Sequence, residues 1–549
     1  DHLHLRSAIC DGPGHVIGTV RRAIKRHVVG LEKSLAEHVA KLADKSLLNA
    51  ARAKLEGLEK RLDGLSAERR SVERTVSEIM DSLSALEKRL YGGGITNTQQ
   101  MAAAEEERTF TISRQGEIED QLLEFMVAID DLEPLVDGAK QALKRALALT
   151  PSSVSAISNM GRAYHRAGEL EDAVISLRQA LKLKPRYPLA ERHLGLVYEE
   201  MGCLDEALQY YDHALQTDDA DADAHFLRAG VLMLLGRLDE GWREYEWRWK
   251  KTRAPTLWRE FPAPLWNGRS ARGINLLVWS EQGIGEQIMF ASMVSDLTDA
   301  GASVTLESEP RLTPLFQRSF PAVHCIARSD PPAPEAVDAG LDAQTPAGSL
   351  GRWCRQEFSA FPERSGYLVA DSERSDVLRT CYQNGTDDVV IGISWCSINP
   401  EIGGRKSMPL FDWRPLLVRP GITVVDLQYG DTANERRDFE AETGISVIHD
   451  DGVDPLTDLD VFAAQVAAMD LVISVSNTTV HMAGALGVPT WVMLSTAPLW
   501  RWFAGREDSP WYGSVRLFRQ QARDEWGSVL KDVEAELTVS IGGLGRQQS

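Results

Sequence analysis

Five short segments of this sequence have residue types and spacing suited to chemistry, and each sits where a hydrophobic run ends. Residues 471–490 read LVISVSNTTVHMAGALGVPT. The β-branched run Leu471 to Val475 predicts a buried parallel strand. It gives way to Ser476-Asn477-Thr478-Thr479. His481, Ala483, Gly484, Ala485 and Gly487 then predict a small-residue helix that stops near Pro489, with a strand at Thr490 to Leu494. A helix start after a hydroxyl-rich turn is a ready anion site, because its first amides are unbonded and its dipole is positive there. Ser476, Asn477, Thr478, Thr479 and His481 are therefore candidate ligands of a phosphate or diphosphate. On this stretch alone, a plain helix cap at Asn477 or Thr478 explains the pattern equally well.

The other four segments are compatible with the same occupant. In WSEQGIGEQIMF, 279–290, Gly283 and Gly285 let the backbone approach a ligand closely. Glu286 falls in the first helical turn, either as a base facing a cleft or as an acid that suits the helix dipole. In ISWCSINPEIGGRKSMPL, 393–410, the strand leads into a polar loop with Arg405 and Lys406. These cations can neutralise a leaving phosphate, or can simply be solvated. Ser394, Ser397 and Asn399 add donors. Asp426 to Asp431, with Gln428, lies at another strand end, where open α/β sheets form their crevice and a base or ribose can sit. In the tail 501–520, with Trp500 just before it, Trp502, Trp511 and Tyr512 surround Arg501, Arg506, Glu507 and Asp508. Sugar or base recognition and plain packing both account for them. Asp219-Ala220-Asp221 lies between repeats and Asp458-Leu459-Asp460 precedes a helix, so neither is a strand-end metal motif. Metal-independent chemistry is expected, with no metal ligands and no cofactor.

The elements that must position these residues follow from periodicity. From Gly273 strands and helices alternate: a strand Asn275 to Ser280, a helix Gln287 to Ala300 and a strand Ser303 to Glu307. A second series starts at Val389 and continues through Thr423 to Gln428, a helix near 459–469, and the 471–494 stretch. This predicts two Rossmann-like α/β units, 270–388 and 389–540, facing each other across a cleft. A mainly α half is expected before them. Leu55, Leu58, Leu62, Leu65, Val72, Val76, Ile79, Leu83, Leu86 and Leu90 alternate by threes and fours, with Arg69 as the defect. That is a coiled-coil seam within 31–90, roughly 54 Å long, in an N-terminal segment 1–94. Its apolar stripe needs a partner helix, and a second copy of the chain is the favoured one. A polar linker at 95–118 follows Gly92-Gly93-Gly94.

Within 119–255 a 34-residue period appears. Ile157, Met160, Gly161, Tyr164, Ala173, Leu177, Ala180 and Pro185 shift to Leu194, Gly195, Tyr198, Ala207, Tyr211 and Ala214, then to Ala229, Leu232, Gly241 and Tyr245. A backward shift gives Ala139, Leu143, Ala146 and Pro151. This is the tetratricopeptide pattern, an α-solenoid whose groove usually takes a peptide, unless it serves as a spacer. Trp242, Trp247, Trp249, Trp258 and Trp266 are expected to cement the repeats to the next domain.

The length of 549 residues suggests three to four domains. A net charge of −20 excludes a typical nucleic-acid binder and disfavours a polybasic membrane anchor. No run approaches the ~18 apolar residues of a membrane span. Six cysteines without CxxC spacing give neither a zinc knuckle nor a disulfide framework, so a reducing cytoplasm is the expected location. The sequence opens on Asp1 and contains no signal-peptide pattern, which leaves open whether the native start is included.

Residues 273–520 resemble the bacterial tetratricopeptide-linked glycosyltransferases. These are related to the heptosyltransferases (glycosyltransferase family 9) and, more distantly, to O-linked N-acetylglucosamine transferases. The matching motifs, in family order, are LLVWSEQGIGEQIMF, IGISW followed by RKSMPL, VDLQYGD, DLVISVSNTTVHMAGALGVPTWVML and REDSPWYGSVRLFRQ. The resemblance implies a GT-B fold of two Rossmann units, with a nucleotide-sugar donor held mainly by the C-terminal one. Members with leading repeats often modify proteins, bacterial flagellins among them. It implies Glu286 as the base, where heptosyltransferases usually have Asp. It puts the family's lysine on Lys406 or Arg405. The phosphate turn, Asp-Thr-Gly-x-x-His in the family, falls on Ser476 to His481. The function implied is sugar transfer from a nucleotide-sugar co-substrate to a hydroxyl, on a flagellin-like protein presented by the repeats. Two alternatives are a lipid-linked or polysaccharide acceptor, and a non-enzymatic scaffold with a vestigial transferase domain.

Overall fold

A computed structural model describes residues 153–251, 258–397, 403–523 and 525–544. The expected coiled coil 31–90, the linker 95–118, the repeat positions Ala139 to Pro151 and the donor candidate Asn399 lie outside the described residues. The chain divides into two compact units at Pro185/Arg186.

The helical region is built of hairpins. Helices α1 (Val154–Arg166) and α2 (Leu170–Leu183) form the first, in the N-terminal unit. Helices α3 (Pro188–Glu200), α4 (Leu204–Thr217), α5 (Ala222–Leu234) and α6 (Leu238–Tyr245) form two more in the second unit. The small residues of the 34-residue pattern are where paired helices touch. A Cβ on Gly195 would come within 2.4 Å of the Tyr211 ring, and one on Gly241 within 2.4 Å of Met233. Each hairpin turns through a left-handed glycine, Gly168, Gly202 and Gly236, at φ 77°, 77° and 78°. That conformation costs glycine no steric penalty.

Two parallel sheets follow. The first has the order β3-β2-β1-β4, from β1 (Asn275–Trp279), β2 (Ser303–Ser308), β3 (His324–Ala327) and β4 (Ala343–Pro346). The second has the order β10-β9-β8-β5-β6-β7, from β5 (Val389–Ser394), β6 (Ile422–Asp426), β7 (Val447–Ile448), β8 (Leu471–Val475), β9 (Thr490–Leu494) and β10 (Val515–Arg519). Every residue of β5, β8 and β9 is buried, as continuous apolar runs require when helices cover both faces. In each sheet the strand order reverses beside the first strand, between β1 and β4 and between β5 and β8. Such switch points open a crevice at the strand C-termini.

The helix expected over Gln287 to Ala300 is two pieces. Helix α7 (Ile284–Ala291) starts three residues early, because extended Gly283 at φ −82° and ψ 175° precedes it. A short helix, Val294–Asp299, follows after a break. At the break the Ser292 carbonyl accepts from the guanidinium of Arg364. Trp242 and Trp249 join the repeats to the α/β region as expected, whereas Trp247 stacks on His225 of α5 at 3.8 Å, within the repeats. Trp242 donates to the Arg355 carbonyl at 2.9 Å and meets Trp500 edge-on with centroids 5.3 Å apart. Trp249 meets Trp258 and Trp279 at 5.0 and 5.6 Å.

Candidate functional site

Residues that follow β1 and β2 in the first sheet and β5, β6 and β8 in the second line one cleft of about 430 Å³. From the first sheet its lining takes Gly283 to Glu286 and Arg311. From the second it takes Ser397, Lys406, Tyr429, Ser476, Asn477, Thr478, His481 and Arg501. Pro455, Leu456, Leu459 and Phe462 form an apolar stretch. The latter two belong to helix α8 (Leu459–Ala467).

Helix α9 (Thr478–Leu486) begins at this cleft. Asn477 is its cap: Oδ1 accepts from the Thr479 amide at 3.0 Å. The same side chain donates through Nδ2 to Ser394 Oγ at 2.6 Å and to the Cys396 carbonyl at 3.0 Å. The cap reading of Asn477 is therefore correct, and the cap also ties the ends of β8 and β5 together. Ser476 Oγ accepts from Trp502 Nε1 at 2.8 Å. Thr478 is the first helical residue and lines the cleft.

Lys406 ends the short helix Gly403–Lys406 after β5 and is 8% exposed. Among the described residues nothing hydrogen-bonds or ion-pairs with its ammonium. Burial and the like charge of Arg501 push it down to about 8, against the pull of Glu286. A buried, unpartnered cation costs free energy, and an anion in the cleft would offset that cost.

Glu286 faces this cation from the other sheet's helix α7. It ion-pairs with Nη2 of Arg501. Burial alone would raise its carboxyl. The charges of Arg501 and His481 and the hydrogen bonds it accepts outweigh burial and bring it to about 2. Arg501 also donates Nη1 to His481 Nε2 at 3.3 Å, while His481 Nδ1 lies 2.7 Å from Tyr512 Oη. Burial and the Arg501 charge push His481 down to about 3, so its ring is neutral at pH 7. Both ring nitrogens are taken, and His481 therefore holds Arg501 instead of offering a proton to a ligand. Gly285 allows this arrangement, since a Cβ there would lie 2.7 Å from the His481 ring.

The structure brings Gly283, Gly285, Glu286, Lys406, Ser476, Asn477, Thr478 and His481 together on the cleft wall. Four candidates stand elsewhere. Arg405 points away, with Nη1 2.6 Å from Glu200 at the end of α3. Ser394 is fully buried and donates to Gln428 Oε1 at 2.9 Å. Gln428 is buried too, and Oε1 also accepts from the amides of Trp395 and Cys396 at 3.0 and 2.9 Å. Thr479 is fully buried and donates to the Leu427 carbonyl at 3.3 Å. These last three brace the loops that carry the lining. Arg501 and Arg311 are cleft cations absent from the expected ligand set. Arg501 was visible in the aromatic tail, where packing and recognition could not be told apart. Arg311 follows β2, in a stretch whose elements the periodicity did not resolve.

Comparison with known proteins adds to this geometry. Residues 161–202 match the TPR repeat family model and residues 193–246 the tetratricopeptide repeat model. The chain is 34% identical over 327 residues to protein FlbA of Caulobacter vibrioides, covering 57% of this chain and 54% of that protein. It thus spans about half the length of the curated relative it matches. Among solved structures it is similar to a family 9 glycosyl transferase from Veillonella parvula. The identity there is 12%, covering 51% of this chain and 99% of the other, with a TM-score of 0.37. It is also similar to a mutant O-GlcNAc transferase of Thermobaculum terrenum. That identity is 15%, covering 74% and 89% of the two chains, with a TM-score of 0.28. Residues 161–246 are thus tetratricopeptide repeats, and the chain carrying them is similar to glycosyltransferases of family 9 and to an O-GlcNAc transferase.

Proposed function

We propose that this chain is a GT-B glycosyltransferase that moves a sugar from a nucleotide-sugar to a hydroxyl. The observation that carries the reading is Lys406: a buried ammonium with no hydrogen-bond or ion-pair partner among the described residues, lining one cleft with the start of helix α9 and the carboxylate of Glu286. A leaving diphosphate or phosphate needs fixed positive potential in a desolvated site, and this lining supplies it. The apolar stretch of Pro455, Leu456, Leu459 and Phe462 beside Tyr429 suits a nucleobase.

In the reaction the acceptor oxygen bonds to the anomeric carbon as its proton passes to Glu286. The bond from that carbon to the phosphate oxygen breaks, and its electron pair stays on the phosphate. Lys406 and the first amides of α9 stabilise the resulting charge. Among the described residues the cleft lining has three cations, Lys406, Arg501 and Arg311, against one carboxylate, Glu286. That ratio suits metal-independent chemistry. The repeats favour a protein acceptor, since a bound polypeptide raises the local concentration of its hydroxyls.

The test is nucleotide release from a panel of nucleotide-sugars, with and without protein acceptor. Glu286→Gln and Lys406→Ala are each expected to cost on the order of 10²-fold or more in turnover. Full activity in both variants would refute the reading.

A further inference from the structure

Glu286 presents a difficulty for the reaction just described. A carboxylate paired to a guanidinium is a poor proton acceptor, because protonating it forfeits the ion pair. The resolution lies in its partner. Arg501 is 7% exposed and sits on the short 3₁₀ turn Trp500–Trp502. Its Nη1 reaches His481, its Nη2 reaches Glu286, and its buried Nε has no hydrogen-bond partner among the described residues. It lines the same cleft as Lys406 and Thr478. A guanidinium has five donors in a planar fork that matches phosphate oxygens.

We propose that Arg501 is a catalytic residue that exchanges partners, binding Glu286 in the empty cleft and the donor's phosphate groups in the loaded one. This rests on the nucleotide-sugar reading. Until a donor binds, Glu286, the only acidic side chain among the described residues of the cleft wall, is paired with a cation, and Arg501 is held in place for its ligand. When phosphate oxygens take Nη2, Glu286 loses its cation beside a newly arrived negative charge. Both changes raise its proton affinity, so the base becomes competent only once a leaving group is present. The other charged or titratable groups around Glu286 are His481 on α9, Lys406 after β5, Arg311 after β2, and the phenols Tyr245 and Tyr512. Tyr512 is engaged with His481, and Tyr245 Oη accepts from Gln282 at 2.5 Å. Arg311 is bonded to the Leu456 carbonyl and to Glu309. None of them can replace Arg501 at Glu286 without giving up its own contacts, except Lys406, which the anion itself engages.

The experiment is calorimetric titration of inorganic pyrophosphate into the full chain at about pH 5, above the paired carboxylate and near a free one. It is run in buffers of different ionisation enthalpy, so that proton uptake can be read. Wild type is expected to take up protons that Glu286→Gln does not, and Arg501→Gln is expected to bind at least about tenfold more weakly. Glu286→Gln keeps a hydrogen-bond acceptor for Arg501, so loss of folding will not explain the difference. Equal uptake in wild type and Glu286→Gln, or undiminished affinity in Arg501→Gln, overturns the partner exchange and leaves the transferase reading standing. No pyrophosphate binding, or wild-type affinity in Lys406→Ala, overturns the anion site on which both rest.

Discussion

Lys406 and Glu286 line one cleft with opposite charges and opposite proposed tasks, and their titration separates them. Only the protonated ammonium attracts phosphate. Donor affinity is therefore expected to hold through neutral pH and to fall as pH rises past about 8, where Lys406 deprotonates. Lys406→Met should bind weakly and without that fall, which titration of a nucleoside diphosphate between pH 6 and 9 would show. Stability has the opposite sign. The folded state depresses this lysine, so the unfolded chain binds more protons, and the empty protein gains stability as pH rises through about 8 toward the ordinary lysine value. Much of the cleft lining was legible residue by residue. Glu286 follows a glycine turn, Lys406 a strand end, and Thr478 a hydroxyl-rich break, all local signals. Ser394, Gln428 and Thr479 lie at equally suggestive strand ends but turn inward, and inward and outward orientations look alike in sequence. Arg501 meets Glu286 across 215 residues, a separation that no local pattern encodes.

At the scale of elements, the last repeat hairpin, α5 and α6, braces both walls of the site. Beyond α6, fully buried Arg248 makes a bidentate pair with fully buried Glu281, 2.9 and 2.8 Å, just before the Gly283 turn. The Leu234 carbonyl at the end of α5 accepts from the Ala504 amide at 2.6 Å, and Trp242 packs on Trp500 beside Arg501. Arg248→Met would leave the Glu281 charge buried without its cation, held only by the Gly348 amide and the Gln282 side chain. The expected loss is ~3–5 kcal/mol in denaturant unfolding. Adding Glu281→Gln should recover part of that loss, in a double-mutant cycle, because the two groups form one interaction. The repeat period and the bracing tryptophans were readable in sequence. The left-handed glycines at Gly168, Gly202 and Gly236 keep the same spacing and were an unused signal. Arg248 gave no sign, since one arginine in a basic and aromatic stretch resembles any solvated cation.

At the scale of the whole molecule, the repeat helices α3 to α6 and both sheets belong to one compact unit, and the bracing decides how they can be separated. Deleting residues 153–251 is expected to leave a remainder that melts without a sharp transition and turns over no donor. Calorimetry and a donor-hydrolysis assay would show this, and a fully active fragment would reduce the repeats to acceptor binding alone. Sheet order was foreseeable only as strand–helix alternation. The reversal points that create the cleft are tertiary facts, set by which strands pair. The central claim is that this cleft grips an anionic leaving group. It is tested most directly by a crystal structure of the full chain soaked with a nucleoside diphosphate. Phosphate oxygens are expected within hydrogen-bond distance of Lys406 Nζ and of the Thr478 end of α9, with the base beside Phe462. An empty cleft at saturating ligand, or phosphates bound away from Lys406, would contradict it.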